Sequence, residues 1–197
     1  MNHFKFKSYL TSNASIDPIV IESLLSHCKE RQVLKGDFLL KAGEKCQYSF
    51  FVEAGILKQY SIDHKGKEHI IQFAPENWFM TDRESVFFGN PSSYYIQAVE
   101  NTTVFLINEN MILQLAKSNP IFLEFNNKLL HNHIRHLQKR ITQLLSATAE
   151  ERYLDFIKIF PDLTLRVPQV LIASYLGITP ESLSRVRKDL ALQNHQK

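Results

Sequence analysis

The stretch from Val167 to Leu190 constrains the fold of this chain more than any other part of the sequence. Apolar residues give its first half a single face that suits a short helix: Ile172, Ala173, Tyr175 and Leu176. Gly177 follows immediately, where a helix end favours a residue that adopts the left-handed conformation at low cost. The stretch is therefore predicted to contain a helix that stops at Gly177.

A second helix is predicted directly after this turn. Thr179 is a good N-cap, Pro180 fits the first helical position, and Glu181 suits the positively polarised first turn. Inward-facing apolar residues then recur at helical spacing, at Leu183, Val186 and Leu190. Two helices joined by a short turn that contains glycine are the pattern of a helix-turn-helix motif.

The motif resembles the helix-turn-helix of the Crp/Fnr family of transcription regulators. The run Glu181-Ser182-Leu183-Ser184-Arg185 is similar to the recognition helix of that family, in which a Glu, a Ser or Gly, and an Arg read base edges. The resemblance implies base contacts from Glu181, Ser184 and Arg185. The chemistry agrees, because Arg donates two hydrogen bonds to guanine and a carboxylate accepts one from cytosine N4.

Five polar side chains are expected at the DNA backbone, where contacts position a protein without specifying the sequence. They are Gln169, Thr179, Ser182, Arg187 and Lys188. The alternative interpretation of the segment is a helical hairpin with a solvated charged face. DNA binding is favoured because the apolar pattern, the turn, the cap and the polar face all agree.

The composition suits one or two compact domains and excludes several classes of protein. The 197 residues are 44% hydrophobic with a net charge of +3, which excludes a disordered chain and an acidic solvating protein. Cys28 and Cys46 form neither a zinc pattern nor a disulfide framework, and an iron–sulfur cluster normally needs four cysteines. No segment resembles a signal peptide, and no run reaches the roughly 18 apolar residues of a membrane helix. A cytoplasmic protein with no membrane partner is expected.

From residue 31 to residue 107 the pattern changes to short apolar runs separated by turn residues. Strands at this spacing predict a sandwich or barrel, and the lack of long amphipathic helices between them argues against a parallel α/β sheet. Lys35-Gly36-Asp37 and Ala42-Gly43-Glu44 resemble the opening of a cyclic-nucleotide-binding β-roll. The expected fold class is α+β, with an N-terminal antiparallel β-roll, a long dimerisation helix and a C-terminal helix-turn-helix with a reduced or absent wing.

Three domains are expected: a β-roll effector-type domain over 1–118, a dimerisation helix over 119–147, and a helix-turn-helix DNA-binding domain over 148–197. Residues 163–167 are predicted to form a short strand before the motif, and only the residues ALQNHQK follow Leu190. Flanking wing strands are therefore expected to be reduced or absent. Fewer phosphate contacts then predict a shallower salt dependence of DNA binding than in a fully winged relative.

The resemblance implies a candidate effector pocket in the β-roll. Relatives that bind cyclic nucleotides carry a Gly-Glu pair for the ribose and an Arg-Ser or Arg-Thr pair for the cyclic phosphate. Here Thr81-Asp82 and Ser92-Ser93 take those places, so the cation that a buried phosphate needs is missing. Cyclic AMP is therefore not expected, and no cofactor is assigned. The candidate residues for another effector, which also suit structural loop positions, are Asp82, Arg83, Ser92 and Ser93.

A long helix is predicted from about Pro120 to Ala147, with a length of about 40 Å. Leucines seven residues apart alternate with Asn or β-branched residues, a heptad pattern typical of a parallel two-stranded coiled coil. The expected dimer-interface residues are Leu123, Asn127, Leu130, Ile134, Leu137, Ile141 and Leu144. Asn127 in this seam is expected to set the register of pairing. The alternative is a helix packed on its own domain.

The sequence does not indicate an enzyme. A metal-binding cupin would need a His-x-His pair, which His64 and His69 do not form, and the sequence shows no nucleophile elbow or phosphate-binding glycine loop. His131, His133 and His136 are expected to be solvated and not to bind a metal.

The chain is predicted to be a homodimeric regulator on near-palindromic double-stranded DNA, with RNA polymerase as a candidate further partner. The competing hypothesis is a β-roll dimer that senses a ligand or binds another protein and carries a vestigial helix-turn-helix.

Overall fold

The computed structural model describes residues 4–13 and 16–194 of the chain. Contacts between residues group the chain into two compact units. The first comprises Met1–Ile62 and Ile71–His131, and the second comprises Asp63–Ile70 and Asn132–Lys197. The division into three domains at residues 118 and 147 stays a prediction. Among the described residues, no helix combines the length and the apolar character that crossing a bilayer requires.

Strands occupy the region that the sequence assigns to a β-roll. They are β1 (Lys29–Val33), β2 (Phe38–Leu40), β3 (Tyr48–Ala54), β4 (Leu57–Ile62), β5 (Glu68–Ala74), β6 (Phe79–Met80), β7 (Tyr95–Ala98) and β8 (Thr102–Asn108). Helices precede and follow them. They are α1 (Phe4–Asn13), α2 (Pro18–His27), α3 (Arg83–Phe88), α4 (Glu109–Ser118), α5 (Pro120–Ser146), α6 (Ala149–Ile159), α7 (Leu163–Arg166), α8 (Gln169–Leu176) and α9 (Pro180–Asn194).

The strands form two four-stranded sheets, with the orders β1-β8-β3-β6 and β2-β7-β4-β5. The pairs β1–β8, β3–β8, β3–β6, β2–β7 and β4–β7 are all antiparallel. At the centre of the first sheet, Phe50 lies opposite Leu106 and Val52 lies opposite Val104. The predicted antiparallel β-roll and the α+β fold class are therefore confirmed.

Alternate residues of β3 serve two different cores. Phe50 and Val52 belong to a buried cluster that includes Ile96 of the second sheet, so this cluster joins the two sheets. Phe51, between them, belongs to a cluster that includes Phe6 of α1 and residues of α2, α4 and α5. This division follows from the period of two along a strand, which sends successive side chains to opposite faces.

The helix starts agree with the capping signals in the sequence. Ser15 and Asp17 are both plausible residues for the start of a helix in the sequence. Asp17 caps α2 by accepting a hydrogen bond of 2.8 Å from the Ile19 N–H, and Ser15 lies outside the described residues. Asn108 caps α4 in the same way. At α6, Thr148 Oγ1 accepts from the Glu151 N–H at 3.2 Å, and the Glu151 carboxylate accepts from the Thr148 N–H at 2.8 Å. This reciprocal pair is a capping box, which satisfies two amide groups that a helix end leaves unpaired.

The prediction of a strand at residues 163–167 is wrong, because Leu163–Arg166 forms the short helix α7. The Val167 N–H donates to the Leu163 carbonyl at 2.8 Å, which closes one helical turn. Leu163 and Val167 are buried, whereas Leu165 is 89% exposed. A strand would have put all three on one face, but a helix groups residues four apart. The segment Ala149–Asn194 contains four helices and no strand.

Replacing Thr148 by Ala is expected to lower the free energy of unfolding by about 1 kcal/mol, since it removes the N-cap of α6. Thr142→Ala is the matched control, because the Thr142 hydroxyl donates to the Gln138 carbonyl within its own helix and caps no helix end. Urea unfolding followed by circular dichroism measures both. Equal stability of the two variants would contradict the capping role.

Candidate nucleic-acid interface

The turn between α8 and α9 is closed by two backbone hydrogen bonds. The Gly177 N–H donates to the Ser174 carbonyl at 3.1 Å, and the Ile178 N–H donates to the Ala173 carbonyl at 3.0 Å. This pair is a Schellman motif, and it requires the left-handed conformation that Gly177 adopts with φ of 67°. A Cβ atom at Gly177 would also lie 3.0 Å from Leu144 Cδ2. Both the torsion and the close approach of α5 explain the glycine, and the predicted helix-turn-helix is confirmed.

Thr179 caps α9, as the sequence predicts. Its Oγ1 accepts from the Ser182 N–H at 3.2 Å, and the hydroxyls of Thr179 and Ser182 are hydrogen-bonded at 3.2 Å. The Thr179 hydroxyl is thus engaged within the first turn of α9. The phosphate contacts of Thr179 and Ser182 stay predictions.

The α9 helix is anchored by one apolar stripe. Leu183 is 1% exposed, and Val186 and Leu190 are half-buried. At about 100° per residue these three residues share one side of the helix. The opposite side is therefore left to polar residues.

The exposed side of α9 carries the residues that the sequence assigns to DNA. The side chains at its centre are all exposed, and they are Glu181, Ser184, Arg185 and Lys188. Their spacing of three, four and seven residues keeps them on one face. Ser182 and Arg187 lie on opposite flanks of that face by the same count. This arrangement suits base contacts from the centre near the helix start and phosphate contacts from the flanks.

Glu181 is held as a carboxylate. A hydrogen bond from its own backbone N–H and one from the Thr179 hydroxyl lower the pKa of Glu181. An ionised carboxylate only accepts hydrogen bonds, which fits the exocyclic amino group of cytosine. The start of α9 is thus an acceptor at Glu181, followed one turn later by a donor at Arg185.

The first helix of the motif is fixed by aromatic packing within the second unit. The rings of Phe156, Phe160 and Tyr175 contact one another, with centroid separations of 5.4–6.1 Å. Ile172 and Ala173 are fully buried beside them. Gln169 lies in the first turn of α8 and is half-buried, and its predicted phosphate contact stays a prediction.

The sequence analysis missed two residues that make contacts of α8. They are Ser174, which lies on α8 itself, and Arg140 of α5. Ser174 Oγ donates to the Glu68 carbonyl at 3.0 Å and accepts from the Ile70 N–H at 3.1 Å. Arg140 Nη2 donates to the carbonyls of Ile70 at 3.0 Å and Tyr175 at 2.9 Å. A serine between the apolar residues of α8 is a sequence signal for such a contact, although it does not identify the partner.

The candidate effector residues all have local contacts. Asp82 is buried and caps α3, where its carboxylate accepts from the N–H groups of Glu84 and Ser85. Arg83 forms an ion pair of 3.3 Å with Glu109. Ser92 is buried, and its hydroxyl bonds to both backbone groups of Tyr94, whereas Ser93 is exposed.

Asp82 and Ser92 are both engaged in local hydrogen bonds, and the expectation that cyclic AMP does not bind stays a prediction. The Asp82 carboxylate already accepts two helix amides, and Ser92 supplies no positive charge. The nearby cation, Arg83, is paired with Glu109. The assignment of these residues to a pocket for another effector stays a prediction.

Both cysteines are packed against neighbouring groups, and the expectation that no metal binds stays a prediction. Burial raises the pKa of the Cys28 thiol to about 12, and this thiol donates to the Leu24 carbonyl of its own helix. Cys46 is buried in the β-roll core. Among the described residues, no three His, Cys, Asp or Glu side chains converge on one point. Burial, with the neighbouring charges of Arg140 and Lys139, lowers the pKa of His136.

The predicted dimer seam on α5 faces outward. Ile134 is 49% exposed and Ile141 is 57% exposed, and Leu123, Asn127 and Leu144 are also exposed. The remaining two, Leu130 and Leu137, are half-buried. A row of exposed apolar residues at heptad spacing is the surface that a paired helix covers.

Comparison with known proteins agrees with both halves of the fold. Residues 30–119 match the cyclic nucleotide-binding domain family. An anaerobic regulatory protein from Pasteurella multocida is 25% identical over 169 residues, which cover 80% of this chain and 61% of that protein. The chain thus spans less than two thirds of that relative.

Solved structures share the fold. FixK2 from Bradyrhizobium japonicum superposes with a TM-score of 0.74 at 20% identity, over 85% of this chain and 86% of that chain. A Crp/Fnr-family protein from Eubacterium rectale gives a TM-score of 0.68 at 15% identity, over 94% and 88% of the two chains. The domain match, the related regulator and the shared architecture agree, and this chain is similar to regulators of the Crp/Fnr family.

Proposed function

We propose that this chain is a sequence-specific DNA-binding transcription regulator that binds a near-palindromic operator as a homodimer. The observation that carries the proposal is the exposed face of α9, where Glu181, Ser184, Arg185 and Lys188 lie opposite the buried stripe of Leu183. Such a helix offers an acceptor and a bidentate donor to base edges in a major groove. The Pasteurella relative is named a regulatory protein, which supports a regulatory role for this chain.

The exposed seam of α5 supports pairing of two copies. Two chains joined along this helix would each present one α9 helix, and their half-sites would lie about 34 Å apart, one turn of DNA. Cytoplasmic DNA is the expected target, and RNA polymerase is the expected protein partner of such a regulator. Because Asp82 and Ser92 have structural roles and the nearby Arg83 is paired with Glu109, the regulator is not expected to respond to cyclic AMP.

Arg185→Ala is expected to weaken binding to the preferred operator by about 1–3 kcal/mol and to relax the preference for guanine at one position of each half-site. The operator is first selected by the wild-type protein from a pool of random-sequence duplexes. Fluorescence anisotropy then measures the affinity of each variant for the operator and for single-base variants of it.

Lys188→Ala is the matched control, since it removes a cation from the same helix. It is expected to weaken binding to all sequences alike and to reduce the salt slope by about one. If Arg185→Ala and wild type preferred the same base at every position, the base contact of Arg185 would be refuted. Failure of the wild-type protein to select any sequence would favour the alternative of a ligand-sensing or protein-binding β-roll dimer.

Ile134→Glu is expected to weaken the dimer by at least about 3 kcal/mol, because two isoleucines are lost from the interface and two carboxylates face each other. Sedimentation equilibrium measures the monomer–dimer constant. Asn132→Glu is the control, since Asn132 is also exposed but is five residues from the Asn127 position of the heptad and faces away from the seam. A dimer of unchanged strength in Ile134→Glu would exclude this seam.

A further inference from the structure

The loop between β4 and β5 belongs to the second unit and has a fixed shape. Asp63 accepts hydrogen bonds from the N–H groups of Lys65 at 2.9 Å and Lys67 at 3.0 Å. Its other oxygen pairs with His69 Nε2 at 2.9 Å. The hydrogen bond from His69, together with those from the backbone, lowers the pKa of Asp63 to about 2. The loop 63–67 is therefore held closed by the Asp63 carboxylate together with two backbone bonds, from the Asp63 N–H to the Lys67 carbonyl and from the Gly66 N–H to the Asp63 carbonyl.

Ser174 of α8 pairs with the end of this loop like a neighbouring strand. Its hydroxyl donates to the Glu68 carbonyl and accepts from the Ile70 N–H, at 3.0 and 3.1 Å. It therefore satisfies one carbonyl and one amide that are two residues apart on β5. A residue with no hydroxyl could make neither bond.

Arg140 of α5 completes the contact from a third element. One nitrogen, Nη2, donates to both the Ile70 carbonyl of β5 and the Tyr175 carbonyl of α8. The guanidinium carbon also lies 3.7 Å from the centre of the Tyr175 ring, in a cation–π contact. Burial lowers the pKa of Arg140, but a guanidinium keeps its charge in proteins. We name Ser174, Arg140 and the backbone groups that they contact on Glu68, Ile70 and Tyr175 the α8 clasp.

We infer that Ser174 and Arg140 are positioning residues for DNA binding, and that the α8 clasp sets the orientation of α9 through the Gly177 turn. The inference rests on the proposed DNA-binding function. Ser174 and Tyr175 lie in the last turn of α8, before Gly177. The Ser174 carbonyl accepts the hydrogen bond from the Gly177 N–H that helps to close the turn.

A purely structural role would make the clasp one more stabilising contact. The structural role and the positioning role predict that different backbone hydrogen bonds open when the bonds of the clasp are removed. A positioning role requires that the amides of the Gly177 turn respond while the core of the unit does not. Local opening of this kind is visible in amide hydrogen exchange, which reports each hydrogen bond separately.

Ser174→Ala removes both bonds of the hydroxyl. We expect the Ile70 amide to exchange about tenfold faster, and the amides of Gly177 and Ile178 to exchange several-fold faster. The Phe160 amide, which donates to the Phe156 carbonyl in the aromatic core, serves as an internal reference and keeps its rate. Ser146→Ala is the matched control, since the Ser146 hydroxyl only donates to the Thr142 carbonyl of its own helix.

The DNA readout uses the operator selected by the wild-type protein. Ser174→Ala is expected to bind it about three- to tenfold more weakly, with the same base preference and the same slope of affinity against salt, because no phosphate contact is lost. Arg140→Lys keeps the charge but not the fork that reaches two carbonyls, and it is expected to behave like Ser174→Ala. Ser146→Ala is expected to bind like wild type.

Faster exchange at Ile70 with unchanged rates at Gly177 and Ile178 would overturn the positioning role. So would equal acceleration of all amides including Phe160, because it would show global destabilisation, and so would unchanged or tighter operator binding. If the wild-type protein selects no DNA sequence, the proposed function fails. In that case the exchange rates of the Gly177 and Ile178 amides alone test whether the α8 clasp orders the Gly177 turn.

Discussion

The left-handed conformation of Gly177 is the constraint on which the rest of the helix-turn-helix depends. It lets two backbone bonds close the end of α8, so that the chain reverses and α9 begins at Pro180. A side chain at position 177 would have to adopt an unfavourable positive φ, and its Cβ atom would lie too close to Leu144 of α5. The direction of α9, and with it the face that α9 exposes, therefore follows from a backbone torsion and not from any charged residue.

The polar face of α9 is available because a narrow apolar stripe is enough to hold the helix. Leu183 is buried, and Tyr175 on α8 continues the apolar surface into the aromatic cluster with Phe156. Burial of a few such side chains contributes several kcal/mol, whereas charges left in water cost no desolvation. The net charge of the chain is only +3, so the proposed attraction to DNA would come from this local arrangement of cations.

Local signals made most of the helices and the turn predictable. The caps at Asp17 and Thr179 and the turn at Gly177 act within a few residues of the chain, so the sequence alone reveals them. The apolar residues at 163, 165 and 167 alternate as they would in a strand, which is why the sequence predicts one. The burial of Leu163 with the exposure of Leu165 shows the helix instead.

Long-range contacts have no comparable sequence signal. The Ser174 hydroxyl bonds to backbone groups more than 100 residues away, and a backbone partner leaves no mark on the sequence. The same α5 helix carries Arg140 and, one residue later, the exposed Ile141 of the predicted seam. Consecutive helical residues point about 100° apart, so Arg140 can take part in the clasp while Ile141 points toward a second copy of the chain. Hydrogen bonds weaken steeply as their angle changes, so a rotation of α5 on pairing would alter the bonds of Arg140 directly. In a dimer joined along α5, pairing and the orientation of α8 would therefore be set by the same rigid helix.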